Sequence, residues 1–230
     1  MIALERRPNS SRLWLYATPV LAVFLTVLSG AVLFSLLGFN AIEALTAYFI
    51  SPLRDSYGLG ELTIKATPLA IIAIGLAIGF RANVWNIGAE GQLTLGAITG
   101  GGLALLFYGA EGPWLPPLML IGGMVGGAAW AAIPAFLRTR FNANEILVSL
   151  MLTYVAGLLL SYLVTGPWKD PMGFGFPRTR MFGDGALLPT LFAGSRMHIG
   201  FPIALVTVAA AWFLIARSFI GFQIKVVGLT

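Results

Sequence analysis

The side chains of this sequence that could do polar chemistry gather in one stretch, Phe80–Gly96, which reads FRANVWNIGAEGQLTLG. Arg81, Asn83, Asn86, Glu90 and Gln92 stand there between two long apolar runs, in a chain that is 58% hydrophobic and only 10% charged. The amides of Asn83, Asn86 and Gln92 offer donors and acceptors suited to a polyhydroxylated molecule. Polar and ionisable groups at the centre of a membrane helix cost about 2.5–3.5 kcal/mol each on insertion scales, so they face a cavity, a partner or the water boundary. Two readings stand side by side: a lined pathway, or a plain turn between two spans. Gly88, Gly91 and Gly96 add the backbone freedom that a broken or re-entrant helix needs.

Elsewhere the sequence offers little for bond-breaking. It has no Gly-x-Ser-x-Gly elbow, no His–Glu metal motif and no Gly-x-x-x-x-Gly-Lys loop. The absence of cysteine excludes disulfides, thiolate metal sites and cysteine nucleophiles. His198 is the only histidine, which excludes the histidine pairs of zinc hydrolases and bis-histidine haem sites. No catalytic residue, metal site or cofactor is therefore expected. Gly100-Gly101-Gly102 reads as packing or a kink inside a span. Glu90 and Glu145 each precede an apolar run and suit the positive N-terminal end of the following helix. The net charge of +5 does not cluster as a nucleic-acid footprint would, so no nucleic-acid partner is expected.

The elements that carry these residues are set by hydropathy. A mean hydropathy of +0.88 and charge-free runs longer than a soluble core helix needs define an integral membrane protein bathed in membrane lipid. The expected fold is all-α, a polytopic transmembrane helix bundle of about six spans with the polar stretch between spans two and three. Residues 1–230 form a single transmembrane domain, since no segment has the composition of a separate soluble one. Leu13–Ile42 lacks charge over 30 residues, too long for a signal h-region, and reads as a retained first span near 13–37. Ile42, Leu45 and Phe49 recur at helical spacing, as in a short interfacial helix over 41–50.

Further spans are expected near 62–80, 91–108, 118–137, 146–165 and 197–216. Gly96/Gly100, Gly122/Gly126 and Gly123/Gly127 are small-xxx-small pairs of the kind that let helices approach closely. Glu111–Pro117 reads as a tight loop, and 166–196 as a longer one rich in Gly, Pro and Arg. Arg6, Arg7 and Arg12 beside span one place the N-terminus in the cytoplasm, and six spans return the C-terminus to the same side. On that topology the inner side holds eight Lys/Arg and the outer side six, a narrow margin.

Ala66-Thr67-Pro68-Leu69, the run Phe80–Gln92, and Phe141–Ile146 followed by Ser149–Tyr154 resemble the permease subunits of bacterial ABC importers. The superfamily is the one serving branched-chain amino acids, ribose-type sugars and nucleosides, and Asn86–Gln92 resembles its simple-sugar and nucleoside branch. Thr153 departs from that pattern, standing where an asparagine is expected. The resemblance implies a pore half in the bacterial inner membrane, paired with a second permease subunit. It implies a cytoplasmic ABC ATPase that holds all the reaction chemistry, so this chain is not itself an enzyme. A periplasmic or lipoprotein substrate-binding protein would deliver the cargo. Asn83, Asn86, Glu90 and Gln92 are then expected beside the substrate pathway. The run from Gly221 to Leu229, with Gly221, Phe222, Lys225 and Gly228, resembles the start of the segment that couples to the ATPase. Relatives continue beyond that point, so the chain is expected to be the N-terminal part of a longer permease. An ion-coupled secondary transporter is the competing class, with a membrane-embedded enzyme third.

Overall fold

The computed structural model describes residues 12–192 and 194–229. Arg6, Arg7 and the side chain of Arg12, on which the expected orientation rests, lie outside the described residues. The described chain is helical: α1 (Arg12–Leu36), α2 (Ala41–Phe49), α3 (Ser56–Arg81), α4 (Ala89–Leu106), α5 (Leu115–Phe141), α6 (Glu145–Thr165), α7 (Gly200–Arg217) and α8 (Phe219–Val227). Among the described residues the only extended pairings are isolated bridges, Lys169 with Thr179 and Thr190 with His198.

Among the described residues, five helices are long and apolar enough to cross a membrane: α1, α3, α5, α6 and α7. The expected third span is present as α4, whose 18 residues reach about 27 Å, close to the thickness of a bilayer core. It falls outside those five because Glu90, Gln92 and five glycines dilute its apolar content. The chain is a multi-pass, all-helical membrane protein.

Two compact units divide within α3. The first runs to Thr63 and includes Gly194–Arg196; the second holds Ile64–Ala193 and Met197–Thr230. In the first, α1 exposes apolar residues around its surface, Leu13, Val20, Phe24 and Leu28 among them, as a span solvated by lipid does. Asn40 caps α2 by accepting from the Ile42 and Glu43 amides at 3.0 and 3.4 Å. Asp55 Oδ1 accepts from the Gly58 amide at 2.6 Å, which starts α3 six residues before the expected span boundary.

The second unit is organised on α4. Its buried residues are Gly91, Leu95, Ile98, Gly100 and Ala104, facing α5 and α6. Against α5 the approach is backbone to backbone. A Cβ on Gly96 would sit 3.1 Å from the Gly123 carbonyl oxygen, one on Gly100 2.9 Å from that of Met119, and one on Gly127 3.1 Å from that of Gln92. Those three pairs step by four residues in opposite directions, the register of two antiparallel helices meeting along small residues. The Thr99 hydroxyl lies 2.9 Å from the Gly122 carbonyl oxygen and ties the seam together. The expected tight loop over 111–117 ends earlier: Pro116 and Pro117 open α5 instead, since proline fits a first helical turn whose N–H groups lack partners in any case.

Candidate functional site

The polar stretch is the turn between α3 and α4, and each of its residues has a local structural cause. α3 closes in a Schellman arrangement: the Val84 amide donates to the Gly79 carbonyl at 3.0 Å and the Asn83 amide to that of Phe80 at 3.2 Å. Such a closure needs a left-handed residue, and Asn83 supplies it at φ 55°. The Asn83 side-chain oxygen also accepts from the Trp85 indole at 3.3 Å. Asn142 likewise ends α5 in the left-handed region, at φ 54°, but with a different closure: its amide donates to the Arg138 carbonyl at 3.0 Å and the Ala143 amide to that of Leu137 at 3.2 Å.

Asn86 and Gln92 face each other across the start of α4. The Asn86 amide nitrogen donates to Gln92 Oε1 at 3.2 Å, and Gln92 Nε2 donates to Asn86 Oδ1 at 3.3 Å. The Gly88 amide donates to the same Asn86 oxygen at 2.9 Å. The two amides are thus half-buried partners that hold the turn onto the helix, while each keeps one N–H outside that pairing. Glu90 is exposed in the first turn of α4, where a carboxylate suits the helix dipole. Asn86 precedes α4, which begins at Ala89, so Asn86 and Glu90 do not share a helical face.

The turn is clamped by α6. The Ile87 amide donates to the Ser149 hydroxyl at 3.3 Å, and Ser149 is 2% exposed. A Cβ on Gly88 would stand 2.9 Å from Ser149 Cβ, and one on Gly91 would stand 2.9 Å from Thr153 Cα. The two sequence motifs, 86–92 and 141–154, therefore meet through glycine-sized gaps. At the start of α6, Asn144 accepts from the Ile146 and Leu147 amides, and Glu145 pairs with Arg138 of α5.

The C-terminal residues reach the same place. Gly221 is buried in the bend between α7 and α8, where a Cβ would run into the Leu214 carbonyl and stand 2.7 Å from Ile215 Cα. A Cβ on Gly228 would collide with the Arg81 carbonyl oxygen and stand 3.3 Å from the Ala82 carbonyl carbon. Phe222 is exposed and stacks on Phe219 at 6.3 Å, and Lys225 lies in the last turn of α8. The structure thus brings the end of α8 onto the first residues of the polar turn. Sequence reasoning missed this contact. Its one signal was Gly228, a residue without a side chain at a helix end. Ser149 was also missed as a partner of the turn, although it stands within the second motif.

Residues 58–229 match the family described as the branched-chain amino acid transport system permease component. The chain belongs to that family. Among individual relatives of this permease, the glucose ABC transporter permease protein TsgB13 of Haloferax volcanii is 37% identical over 94% of the chain and 59% of its own length. Two relatives come from Bacillus subtilis, both guanosine ABC transporter permease proteins. NupP is 29% identical over 91% of the chain and 60% of its own length. NupQ is 30% identical over 72% of the chain and 53% of its own length. The chain thus spans about three-fifths of the length of the curated relatives TsgB13 and NupP. No solved structure matches it.

Proposed function

We propose that this chain forms part of the membrane pore of an ATP-driven ABC importer for nucleosides or simple sugars, in a single transmembrane permease domain. The observation that carries the reading is the polar turn 83–92, set between apolar helices, clamped by α6 and touched by the end of α8. The amide hydrogens that Asn86 and Gln92 leave outside their mutual pair can serve a ribose or hexose hydroxyl. Asn83, Asn86, Glu90 and Gln92 then stand beside the path, with Asn83 shaping the turn and the other three offering polar atoms.

Gly221, Phe222, Lys225 and Gly228 belong to the segment that couples to a cytoplasmic ATPase subunit, which carries all the hydrolytic chemistry. Phe222 is exposed on α8, Lys225 lies in its last turn, and the two glycines seat the helix on α7 and on the Arg81 backbone. Movement of α8 reaches the turn directly, because Gly228 rests on the Arg81 backbone. A second permease subunit completes the pore, in keeping with the two different guanosine permeases of one Bacillus subtilis strain that are similar to this chain. A periplasmic or lipoprotein binding protein delivers the substrate. The protein sits in the bacterial inner membrane with both ends of the described bundle cytoplasmic.

Uptake of labelled guanosine and glucose tests the reading, in cells carrying the whole permease with its ATPase and binding protein. Uptake should survive collapse of the proton and sodium gradients and stop on ATP depletion. The opposite dependence would assign the chain to an ion-coupled transporter.

A further inference from the structure

At the end of α4 remote from the polar turn, a cavity of about 330 Å³ opens between the last residues of α4 and the segment that follows α6. Four of its lining residues carry its chemistry: Tyr108, Trp168, Lys169 and Arg180. The Trp168 amide donates to the Leu163 carbonyl at 2.8 Å, folding the chain back at the end of α6. The rim of its indole then meets α4 at Gly102, where a Cβ would stand 3.1 Å from Trp168 Cη2 and 3.2 Å from Cζ2. The bridge between Lys169 and Thr179 brings Arg180 alongside, with its guanidinium carbon 6.0 Å from the centroid of the Tyr108 ring.

The charge in this cavity is unbalanced. The ion pairs among the described residues join Arg138 to Glu145, Arg178 to Asp170 and Arg196 to Glu61, and neither Lys169 nor Arg180 takes part in one. Cations near the C-terminal ends of α4 and α6 complement those helix dipoles, which accounts for positive charge here but not for a cavity walled by two aromatic rings. Nor does transport of nucleosides or sugars account for it, since those cargoes are uncharged.

We infer that this cavity binds a phosphate group, and that its source is the headgroup of an anionic membrane lipid. Three observations favour the lipid. The cavity lies about 27 Å along α4 from the polar turn, roughly one hydrocarbon core away, and so falls at the opposite membrane interface. Tyr108 and Trp168 are the residue types that settle at headgroup level. Leu105 and Leu106 form its apolar wall, and Leu106 is 74% exposed, which leaves a strip for an acyl chain. Basic residues beside a membrane surface attract anionic lipids on general electrostatic grounds, and here two of them converge on one pocket.

The test uses the full chain purified in a neutral maltoside detergent, with bound lipid counted by native mass spectrometry. Phosphatidylglycerol should be retained in preference to zwitterionic phosphatidylcholine. The double variant Lys169→Gln/Arg180→Gln should weaken that retention on the order of tenfold or more. Lys169→Arg/Arg180→Lys, which keeps both charges, should restore it and controls for folding. Inorganic phosphate is the second arm. If it binds in a manner lost in the Gln variant while phosphatidylglycerol shows no preference, the ligand is free phosphate. Equal retention of both lipids together with no charge-dependent phosphate binding would overturn the proposal. So would phosphatidylglycerol retention that the Gln variant leaves unchanged.

Discussion

Gly91→Ala probes the clamp between α4 and α6 with a single methyl group. A Cβ at Gly91 would lie 2.9 Å from Thr153 Cα, 3.2 Å from its Oγ1 and 3.3 Å from its backbone nitrogen. Carbon–carbon contacts settle at about 3.5–4.0 Å, so the helices would have to part by roughly 0.6 Å or more. The obstacle is backbone on both sides, and no rotamer change relieves it. Overpacking of this kind costs about 1–3 kcal/mol. Gly157→Ala is the internal control, since Gly157 is also helical, in α6, and its Cβ would meet nothing within 4 Å. Alanine there should add about 0.5–1 kcal/mol through helix propensity. Because both substitutions place alanine in a helix, the difference between them isolates the steric cost. It corresponds to roughly a 5–150-fold change in the folding equilibrium. Reversible unfolding in mixed detergent micelles, followed by tryptophan fluorescence or circular dichroism, measures that difference. Thr153→Ala should fail to rescue Gly91→Ala, because Thr153 Cα and the backbone nitrogen remain. A Gly91→Ala protein as stable as Gly157→Ala, or one rescued by Thr153→Ala, would refute the close approach of these helices.

Two further predictions bear on the turn itself. Asn83→Gly should leave stability within a few tenths of a kcal/mol, while Asn83→Val should cost about 1–2 kcal/mol at the left-handed position; equal unfolding midpoints would contradict the Schellman closure. Gly228→Ala should loosen α8 from Arg81, seen as faster amide exchange across 219–227 with α4 unchanged, and unaltered exchange would show that the contact is not tight.

The apolar runs made most of the helices readable, because a chain solvated by lipid has to satisfy its backbone within each segment. The glycine pairs of α4 and α5 were readable for the same reason: small residues four apart leave room only for another helix. Boundaries were less legible where polar residues cap a helix. Asp55 extends α3 backward past Gly58 and Gly60, which look like loop residues, and Pro116 and Pro117 start a helix although prolines also signal turns. The polar turn was visible as composition but not as geometry. Asn86 pairs with Gln92, six residues away, only because one precedes α4 and the other lies in its first turns. Contacts to Ser149 and Gly228 join residues far apart in sequence, and no local pattern encodes them. The family resemblance supplied the transport reading that residue chemistry alone left open between a lined path and a structural turn.

We propose that the turn 83–92 is where this chain meets its cargo. The measurement that tests it most directly is transport per assembled complex for Asn86→Ala and Gln92→Ala, in the whole importer reconstituted in proteoliposomes, with basal ATP hydrolysis read in parallel. Intact assembly, retained basal hydrolysis and a loss of substrate uptake on the order of tenfold are expected, the effect of about one hydrogen bond of 1.5 kcal/mol. Reduced assembly with unchanged uptake per surviving complex would contradict the proposal and leave the turn as a structural brace.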